Sequence, residues 1–242
     1  MSLKNSKIRL YFNASIAKDD DIVFNKDQTH YLSKVMRLRT GDTLEIFNGI
    51  NGAWKAKITD ISKKSANAKI ICQTQIQRNP PDLWVLFAPI KKNRTQFIIE
   101  KVTELGAARI IPVKTEFTNA ERIKRENLCA HAIEAAEQCR GTFVPAVEEL
   151  TELGNLLNKW PDDRGILFCN EMLAGKKIEL PKKGIRKWAI LIGPEGGFSV
   201  SEQTKLNNNK LIFPIDLGPR ILRADTAVVA AMSLWQKRFG DW

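Results

Sequence analysis

The sequence predicts two domains of different fold class, a small β-domain of barrel type over residues 1–79 and an α/β domain with a mostly parallel sheet over residues 80–242. Two observations support this prediction. Short strand-like runs separated by Asn-Gly turns fill the first part, which is typical of small barrels. After the pair Pro80-Pro81, strand-like and helix-like runs alternate, which favours a parallel sheet covered by helices on both faces.

The first domain contains three strand patterns. "TLEIF" begins at Thr43 and "AWKAKITDI" begins at Ala53, and the turns Asn48-Gly49 and Asn51-Gly52 lie between them, so this stretch predicts a hairpin. "ANAKIICQTQI", which starts at Ala66, predicts a third strand. A short helical pattern, "DQTHYLSKVMRLR", interrupts these strands near the start of the chain.

The second domain alternates five strand patterns with four helix patterns. The strands are "LWVLFAPI", "RIIPV", "GILFCN", "WAILI" and "LIFPIDL". The helices are "KNRTQFIIEKVTELG", which Gly106 ends, "NAERIKRENLCAHAIEAAEQCRG", which Asn119 caps, a weaker one around "LTELGNLLNKW", and "DTAVVAAMSLWQKRF", which Asp225 caps. Since the ligand crevice of a parallel sheet lies at the carboxyl ends of its strands, we expect the functional residues in the loops that follow them.

The charge balance favours a polyanionic partner. The chain of 242 residues carries 38 Lys and Arg side chains against 27 Asp and Glu, a formal net charge of +11. Residues 1–79 hold 14 basic and 7 acidic side chains, whereas residues 80–242 hold 24 and 20. Nucleic acid is the first candidate partner, and an anionic membrane surface is the second. Because the first domain is the more basic per residue, we expect it to contact phosphates.

The cysteine, histidine and apolar patterns exclude several classes of protein. The four cysteines form no CxxC pair and the chain has two histidines, so the sequence predicts no metal site. No stretch reaches the ~18 consecutive apolar residues of a membrane helix, and the first residues lack the apolar core of a signal peptide. Free thiols without such a signal indicate a reducing compartment. We therefore expect a cytoplasmic protein with no membrane partner.

Three loops of the second domain are candidates for chemistry: "FCNEM", "GPEGGF" and "LGPRILRADTA". If the strands that precede them are neighbours, the loops converge. "GPEGGF" lacks the GxGxxG spacing of dinucleotide folds and the Lys-Ser/Thr that ends a P-loop. Glu195 in this loop would repel a phosphate, and it suits hydroxyls or a cation better. Arg220 and Arg223 lie beside the second glycine turn and favour an anionic or electron-rich group nearby.

The two glycine loops carry a resemblance to a known family. "LIGPEGGFS" and "LGPRILRADTA" resemble the signature loops of the ribosomal RNA small subunit methyltransferase E family, uridine methyltransferases of the SPOUT superfamily. "HYLSKVMRLRTGD", "EKVTELGAARIIPV" and "IEAAEQCRG" are similar to further blocks of that family, so the resemblance covers almost the whole chain. The chain departs from the family at Ala224-Asp225, where Thr-Glu is commoner, and this change removes a hydroxyl and shortens the carboxylate.

The resemblance implies a fold, a cofactor and a reaction. The fold is a PUA-like β-barrel followed by a SPOUT domain with a C-terminal trefoil knot, in a homodimer. The reaction is methylation of N3 of a uridine in 16S, small-subunit ribosomal RNA, either free or in the 30S particle, with S-adenosylmethionine held in the knot. The implied cofactor contacts are Phe168, Cys169, Ile192, Gly193, Glu195, Gly196, Gly197, Leu217, Gly218, Ile221 and Leu222.

The catalytic roles stay open at the level of sequence. Arg220 and Arg223 are candidates to stabilise the uracil oxygens, and Glu195 and Asp225 are both candidates to accept the N3 proton. The candidates for contact with the RNA backbone are Arg9, Lys34, Arg37 and Arg39.

Two other functions compete with this interpretation. A non-catalytic RNA-binding protein would keep the basic first domain, but it would not need two glycine loops. A SPOUT ribose 2′-O-methyltransferase acting on transfer RNA usually has an Asn-containing third motif, where this chain has "ILRADTA".

Overall fold

The computed structural model describes residues 8–119, 123–175 and 187–242 and divides into two compact units. The first unit comprises Met1–Asn79 with Ala136–Val144, and the second comprises Pro80–Ala135 with Pro145–Trp242. The segment Ala136–Val144 lies in the part of the sequence assigned above to the second domain. It joins the first unit because the Arg9 guanidinium donates hydrogen bonds to the carbonyls of Ala136 (2.7 Å) and Gly141 (2.8 Å).

The first unit is built on a five-stranded, mostly antiparallel sheet with the strand order β1-β3-β4-β5-β2. One helix lies between β2 and β3, and a π-helical turn over Tyr31–Val35 continues it. The elements are β1 (Arg9–Tyr11), β2 (Asp21–Val23), α1 (Lys26–His30), β3 (Thr43–Phe47), β4 (Ala53–Ile61) and β5 (Ala66–Gln75).

The sheet of the first unit is curled. Its two long strands, β4 and β5, show register shifts between Ala53 and Trp54, between Lys55 and Ala56, and between Ile58 and Asp60. Such bulges bend a strand and increase its twist, which lets one sheet wrap around a core. The hairpin of β3 and β4 is confirmed. Gly49 and Gly52 between these strands have φ angles of 82° and 78°, which favour glycine.

The second unit contains a parallel sheet with the order β12-β10-β11-β6-β7-β8, and β9 pairs with β7. The strands are β6 (Leu83–Phe87), β7 (Arg109–Lys114), β8 (Ala146–Val147), β9 (Thr151–Glu152), β10 (Arg164–Cys169), β11 (Lys187–Ile192) and β12 (Ile212–Ile215). The helices are α2 (Lys92–Glu104), α3 (Arg125–Cys139, whose last four residues belong to the first unit), α4 (Leu153–Asn158), α5 (Val200–Asn207) and α6 (Ala224–Phe239). Five of the six residues of β11 are buried, as expected of a strand covered on both faces.

Two predicted helix caps are wrong, and one helix was not predicted. Helix α6 has Arg223 at its N-cap, so Asp225 lies in the first turn, where its carboxylate accepts a hydrogen bond from the Thr226 N–H. Helix α3 begins at Arg125, six residues after Asn119. Helix α5 has a capping box between Ser199 and Glu202, and the Ser-x-x-Glu spacing was a usable signal for it.

We find no helix with the length and apolar character needed to cross a bilayer within residues 8–119, 123–175 and 187–242.

Candidate cofactor and substrate site

The site lies at the carboxyl edge of the parallel sheet in the second unit. Strand β10 pairs with β11 on one side and with β12 on the other, so the three predicted loops leave the sheet side by side. Strand β6 pairs with the far side of β11, so the loop between β6 and α2 opens at the same edge. The predicted convergence of the three loops is therefore confirmed, and a fourth loop joins them.

These loops enclose a cavity of about 500 Å³, within the usual range for small-molecule sites. Nine of the eleven residues predicted to contact the cofactor line it: Cys169, Ile192, Gly193, Glu195, Gly197, Leu217, Gly218, Ile221 and Leu222. The candidates Arg220 and Arg223 also line it. Twelve further residues that the sequence patterns did not indicate also line the cavity: Lys91, Arg94, Asn170, Glu171, Ala174, Pro194, Phe198, Gln203, Ile215, Asp216, Ala224 and Ala227.

Two predicted cofactor residues lie elsewhere. Phe168 is fully buried in the core of the second unit, where its ring packs edge-on against Phe198 at 5.1 Å. Gly196 faces away from the cavity, since a Cβ added there would meet the Cβ of Phe117 at 3.4 Å. Asp225 does not line the cavity either, although it contacts Arg94, which does.

The turn in "GPEGGF" brings backbone close to the cavity. The Gly197 N–H donates to the Pro194 carbonyl at 3.0 Å, and Gly197 has a φ angle of 70°, which favours glycine. Glu195 occupies the corner of this turn and is exposed. A Cβ added at Gly193 would lie 2.5 Å from the ring of Phe198. Glycine at position 193 therefore lets the loop pack against that ring.

This packing predicts that Gly193→Ala lowers affinity for the cofactor. The added methyl group must displace the Phe198 ring, which Phe168 holds in the core, so the loop that lines the cavity must move. We expect at least about a tenfold loss, or 1.4 kcal/mol, in calorimetry with S-adenosylmethionine. Gly154→Ala in α4 is the matched control, because a Cβ there meets nothing within 4 Å. Equal affinities of the two variants would contradict the role of Gly193.

The loops after β10 and β12 are hydrogen bonded to each other. The Gly175 N–H donates to the Gly218 carbonyl at 3.1 Å and to the Asp216 carboxylate at 3.2 Å. Asp216 also accepts from the Gly218 N–H at 3.0 Å, and Gly218 has a φ angle of 111°. The Asp216 carboxylate thus fixes a glycine turn that a side chain would strain.

An ion-pair cluster joins the first turn of α2 to the first glycine loop and to the first turn of α6. Nη1 of Arg94 lies 2.9 Å from Oε1 of Glu195, and Nε of Arg94 lies 3.8 Å from Oδ2 of Asp225. Arg220 and Arg223 line the same cavity, are exposed, and form no ion pair with another described residue. Within the described part of the chain, the site therefore holds two guanidinium groups without a carboxylate partner beside one, that of Arg94, which pairs with Glu195.

The described residues of the site include a protonated thiol and no metal centre. Burial strongly raises the pKa of the Cys169 thiol, so this side chain stays protonated at neutral pH. No group of three or more His, Cys, Asp or Glu side chains is arranged to hold a metal ion in residues 8–119, 123–175 and 187–242. The arrangement suits the binding of a ligand and electrostatic stabilisation at its reacting atoms.

The predicted RNA contacts in the first unit separate into two groups. Lys34, Arg37 and Arg39 are exposed, and neither arginine forms an ion pair with another described residue. Arg37 has a φ angle of 54°, which is costly for a side chain of its size. This left-handed residue ends the helical segment, since the Leu38 N–H donates to the Leu32 carbonyl at 3.0 Å, so the φ angle of Arg37 has a structural explanation.

Arg9 is not available to RNA, and this prediction is wrong. Its side chain is 5% exposed and forms an ion pair with Glu45 at 2.8 Å. The guanidinium also lies 4.0 Å from the centre of the Phe47 ring. Glu45 accepts a further hydrogen bond from the Thr74 hydroxyl at 2.7 Å. Arg9 is therefore a structural charge inside the first unit.

Comparison with known proteins agrees with this architecture. The family model described as an RNA methyltransferase domain matches residues 77–236, and the model described as an RNA methyltransferase PUA domain matches residues 24–71. These matches define the class of protein as RNA methyltransferases with a PUA domain.

Relatives extend the similarity over nearly the whole chain. Ribosomal RNA small subunit methyltransferase E of Rickettsia conorii is 31% identical over 93% of each chain. The crystal structure of the Neisseria gonorrhoeae protein of that name, bound to S-adenosyl methionine, has a TM-score of 0.87 at 26% identity and covers 97% of this chain and 99% of that one. A methyltransferase from Legionella pneumophila, in complex with the bound cofactor, has a TM-score of 0.84 at 27% identity, with 97% and 99% covered. The chain belongs to the ribosomal RNA small subunit methyltransferase E family.

Proposed function

We propose that this protein transfers the methyl group of S-adenosylmethionine to N3 of a uridine in 16S ribosomal RNA. The observation that carries the proposal is the cavity between the two glycine loops, in a fold whose solved relatives are described with S-adenosylmethionine bound. Because small-subunit RNA is made and assembled in the cytoplasm, we place the protein there.

The lining of the cavity fits the proposed cofactor. Apolar side chains of Ile192, Leu217 and Leu222 suit an adenine ring, and glycine backbone lies beside them. The carboxylates of Glu171 and Asp216 also line the cavity and suit the cationic groups of the ligand. When bound, S-adenosylmethionine supplies the methyl group, and the chain supplies orientation and charge.

Methylation at N3 of uridine requires loss of a proton and stabilisation of the negative charge that results. N3 of uridine carries a proton at neutral pH and lies on the Watson–Crick edge, so the base must be unpaired or flipped to react. Negative charge develops on the uracil oxygens as that proton leaves. Arg220 and Arg223 line the cavity, and no carboxylate among the residues that the structure describes pairs with either, so we assign both guanidinium groups to stabilise this charge.

Of the two candidate proton acceptors, Glu195 is the better placed. It lines the cavity, its side chain is 49% exposed, and Arg94 engages one carboxylate oxygen, Oε1. Asp225 lies outside the cavity lining, and its carboxylate interacts with the Thr226 N–H and with Arg94. We therefore assign proton removal to Glu195 and a structural role to Asp225.

We also propose that the chain forms a homodimer and that its C-terminal segment forms the trefoil knot implied by the resemblance. Light scattering coupled to size-exclusion chromatography tests the dimer. A mass of one chain at micromolar concentration would contradict it.

The first test of the function is methyl transfer from labelled S-adenosylmethionine to small-subunit particles. Particles from a strain lacking the methyltransferase should accept about one methyl group per particle, and particles from the parent strain should accept none. Naked 16S RNA in parallel distinguishes the free RNA from the assembled subunit as substrate. Binding of RNA without any methyl transfer would favour the non-catalytic alternative.

The basic surface of the first unit predicts a salt-dependent contribution to RNA binding. Arg37→Ala combined with Arg39→Ala should weaken binding and reduce the slope of log K against log salt by about 1.4–1.8, the value for two lost phosphate contacts. The control is Lys63→Ala combined with Lys64→Ala, in the exposed turn between β4 and β5. It also removes two positive charges. An identical slope for both double variants would show that net charge, and not this surface, governs binding.

A further inference from the structure

We propose that Arg94 is a positioning residue for methyl transfer, which holds Glu195 in the orientation needed to accept a proton. This inference rests on the proposed function, since it concerns the same reaction. Arg94 lies outside the two glycine loops, about a hundred residues before them in the chain, and the sequence patterns gave no reason to select it.

Arg94 contacts the first glycine loop and the start of α6. Its guanidinium donates to Oε1 of Glu195 at 2.9 Å, with Nη1 as the donor. A second nitrogen, Nε, lies 3.8 Å from Oδ2 of Asp225. The planar, fork-like arrangement of its donors lets one arginine address two carboxylates at once, which a lysine cannot do as well. Arg94 thereby links the Glu195 carboxylate of the first glycine loop and the Asp225 carboxylate at the start of α6 to helix α2.

The position of Arg94 in α2 argues against a role in helix stability. The first turn of α2 contains no acidic residue, and the N-cap residue, Lys91, makes no capping hydrogen bond with its side chain. Positive charge at a helix N-terminus opposes the helix dipole. The charge of Arg94 therefore does not stabilise helix α2. Its contacts with Glu195 and Asp225 are the interactions that this position provides.

The three side chains of this cluster are partly exposed, so their ion pairs contribute little to the stability of the fold. The side chains of Arg94, Glu195 and Asp225 are 30%, 49% and 20% exposed. Ion pairs this exposed contribute little to stability because water and salt screen them. Removal of Arg94 should therefore leave the fold intact and act on the orientation of Glu195, which stands at the corner of a short turn.

The expected effect falls on rate and not on cofactor binding. Loss of orientation at a reacting group lowers rates by about ten- to a hundredfold. We expect Arg94→Ala to reduce single-turnover methylation of small-subunit particles by that factor, while the Kd for S-adenosylmethionine stays within about threefold. Arg94→Lys should restore part of the rate, because it keeps the charge and can reach one carboxylate.

A double-mutant cycle distinguishes positioning from direct contact with the substrate. If Arg94 acts through Glu195, adding Arg94→Ala to Glu195→Ala should change the rate by less than about twofold. Lys101→Ala is the matched control, because Lys101 lies on the same helix, is 30% exposed and pairs with Glu104, yet it does not line the cavity. It should methylate at the rate of the wild type.

Three results would overturn the inference. A rate of Arg94→Ala within twofold of the Lys101→Ala control would show that Arg94 has no role in transfer. Full multiplication of the two single effects in the double variant would show that Arg94 acts independently of Glu195. If the wild-type protein does not methylate the particles at all, the proposed function fails, and this inference fails with it.

Discussion

Arg220→Ala and Arg223→Ala are each expected to slow methyl transfer by roughly a hundredfold to a thousandfold, which corresponds to about 2.7–4 kcal/mol. Both side chains line the cavity and neither forms an ion pair with another described residue, so each is available to the uracil oxygens. RNA docked at the cavity would cover them and exclude water, which strengthens a contact to developing charge.

The same variants should bind the cofactor almost normally. A contact made only in the transition state affects the rate and not the ground-state affinity, so the Kd for S-adenosylmethionine should change by less than about threefold. The measurement is single-turnover methylation of small-subunit particles, with calorimetry beside it. Arg220→Lys and Arg223→Lys keep the charge without the planar fork and should recover part of the rate. If both alanine variants stay within about threefold of the wild type, or roughly 0.65 kcal/mol, neither arginine is catalytic.

The second large effect concerns the stability of the first unit. Arg9→Met should destabilise it by about 3–5 kcal/mol, because it leaves the Glu45 carboxylate buried without its partner. Glu45 is 3% exposed, and Arg140, whose side chain is 39% exposed, approaches it only at 3.5 Å. Methionine keeps apolar bulk beside the Phe47 ring, but it loses the charge pair and also the hydrogen bonds to the Ala136 and Gly141 carbonyls.

Native-state hydrogen exchange of the β3 and β4 amides measures this loss, because these strands carry Glu45 and its neighbours. Arg9→Met combined with Glu45→Gln removes the buried charge and should recover the part of the stability lost through that charge, while the hydrogen bonds to the Ala136 and Gly141 carbonyls stay lost. If the free energy of unfolding of Arg9→Met stays within about 0.5 kcal/mol of the wild type, the range of ordinary surface substitutions, the structural role of Arg9 is contradicted. Arg9 would then again be a candidate for contact with RNA.

Local patterns predicted the elements that depend on local interactions. The strands at Thr43–Phe47 and Ala53–Ile61 were predicted to the residue, because apolar alternation and Asn-Gly turns are properties of neighbouring residues. The two glycine loops were found for the same reason. Whether these loops converge depends on the order of the strands in the sheet. The pairing of β10 with both β11 and β12 confirmed that they do.

The sequence could not predict features that depend on distant contacts. Lys91 and Arg94 reach the cavity because β6 pairs with β11, and nothing in the local pattern around either residue reveals that pairing. Arg9 was predicted on the surface because charged side chains are rarely buried, and its partner Glu45 lies 36 residues away. Phe168 immediately precedes a cavity residue, yet the alternation of the strand directs it into the core.

The central claim is the chemical position of the methyl group, and nucleoside analysis of methylated 16S RNA tests it most directly. Small-subunit particles treated with the protein and labelled S-adenosylmethionine are digested to nucleosides and separated by chromatography with mass spectrometry. We predict that the label is found in 3-methyluridine, that it maps to a single site, and that Arg220→Ala reduces it. Label in a 2′-O-methylated nucleoside, or in any base other than uracil, would contradict the proposed reaction while leaving the cofactor site intact.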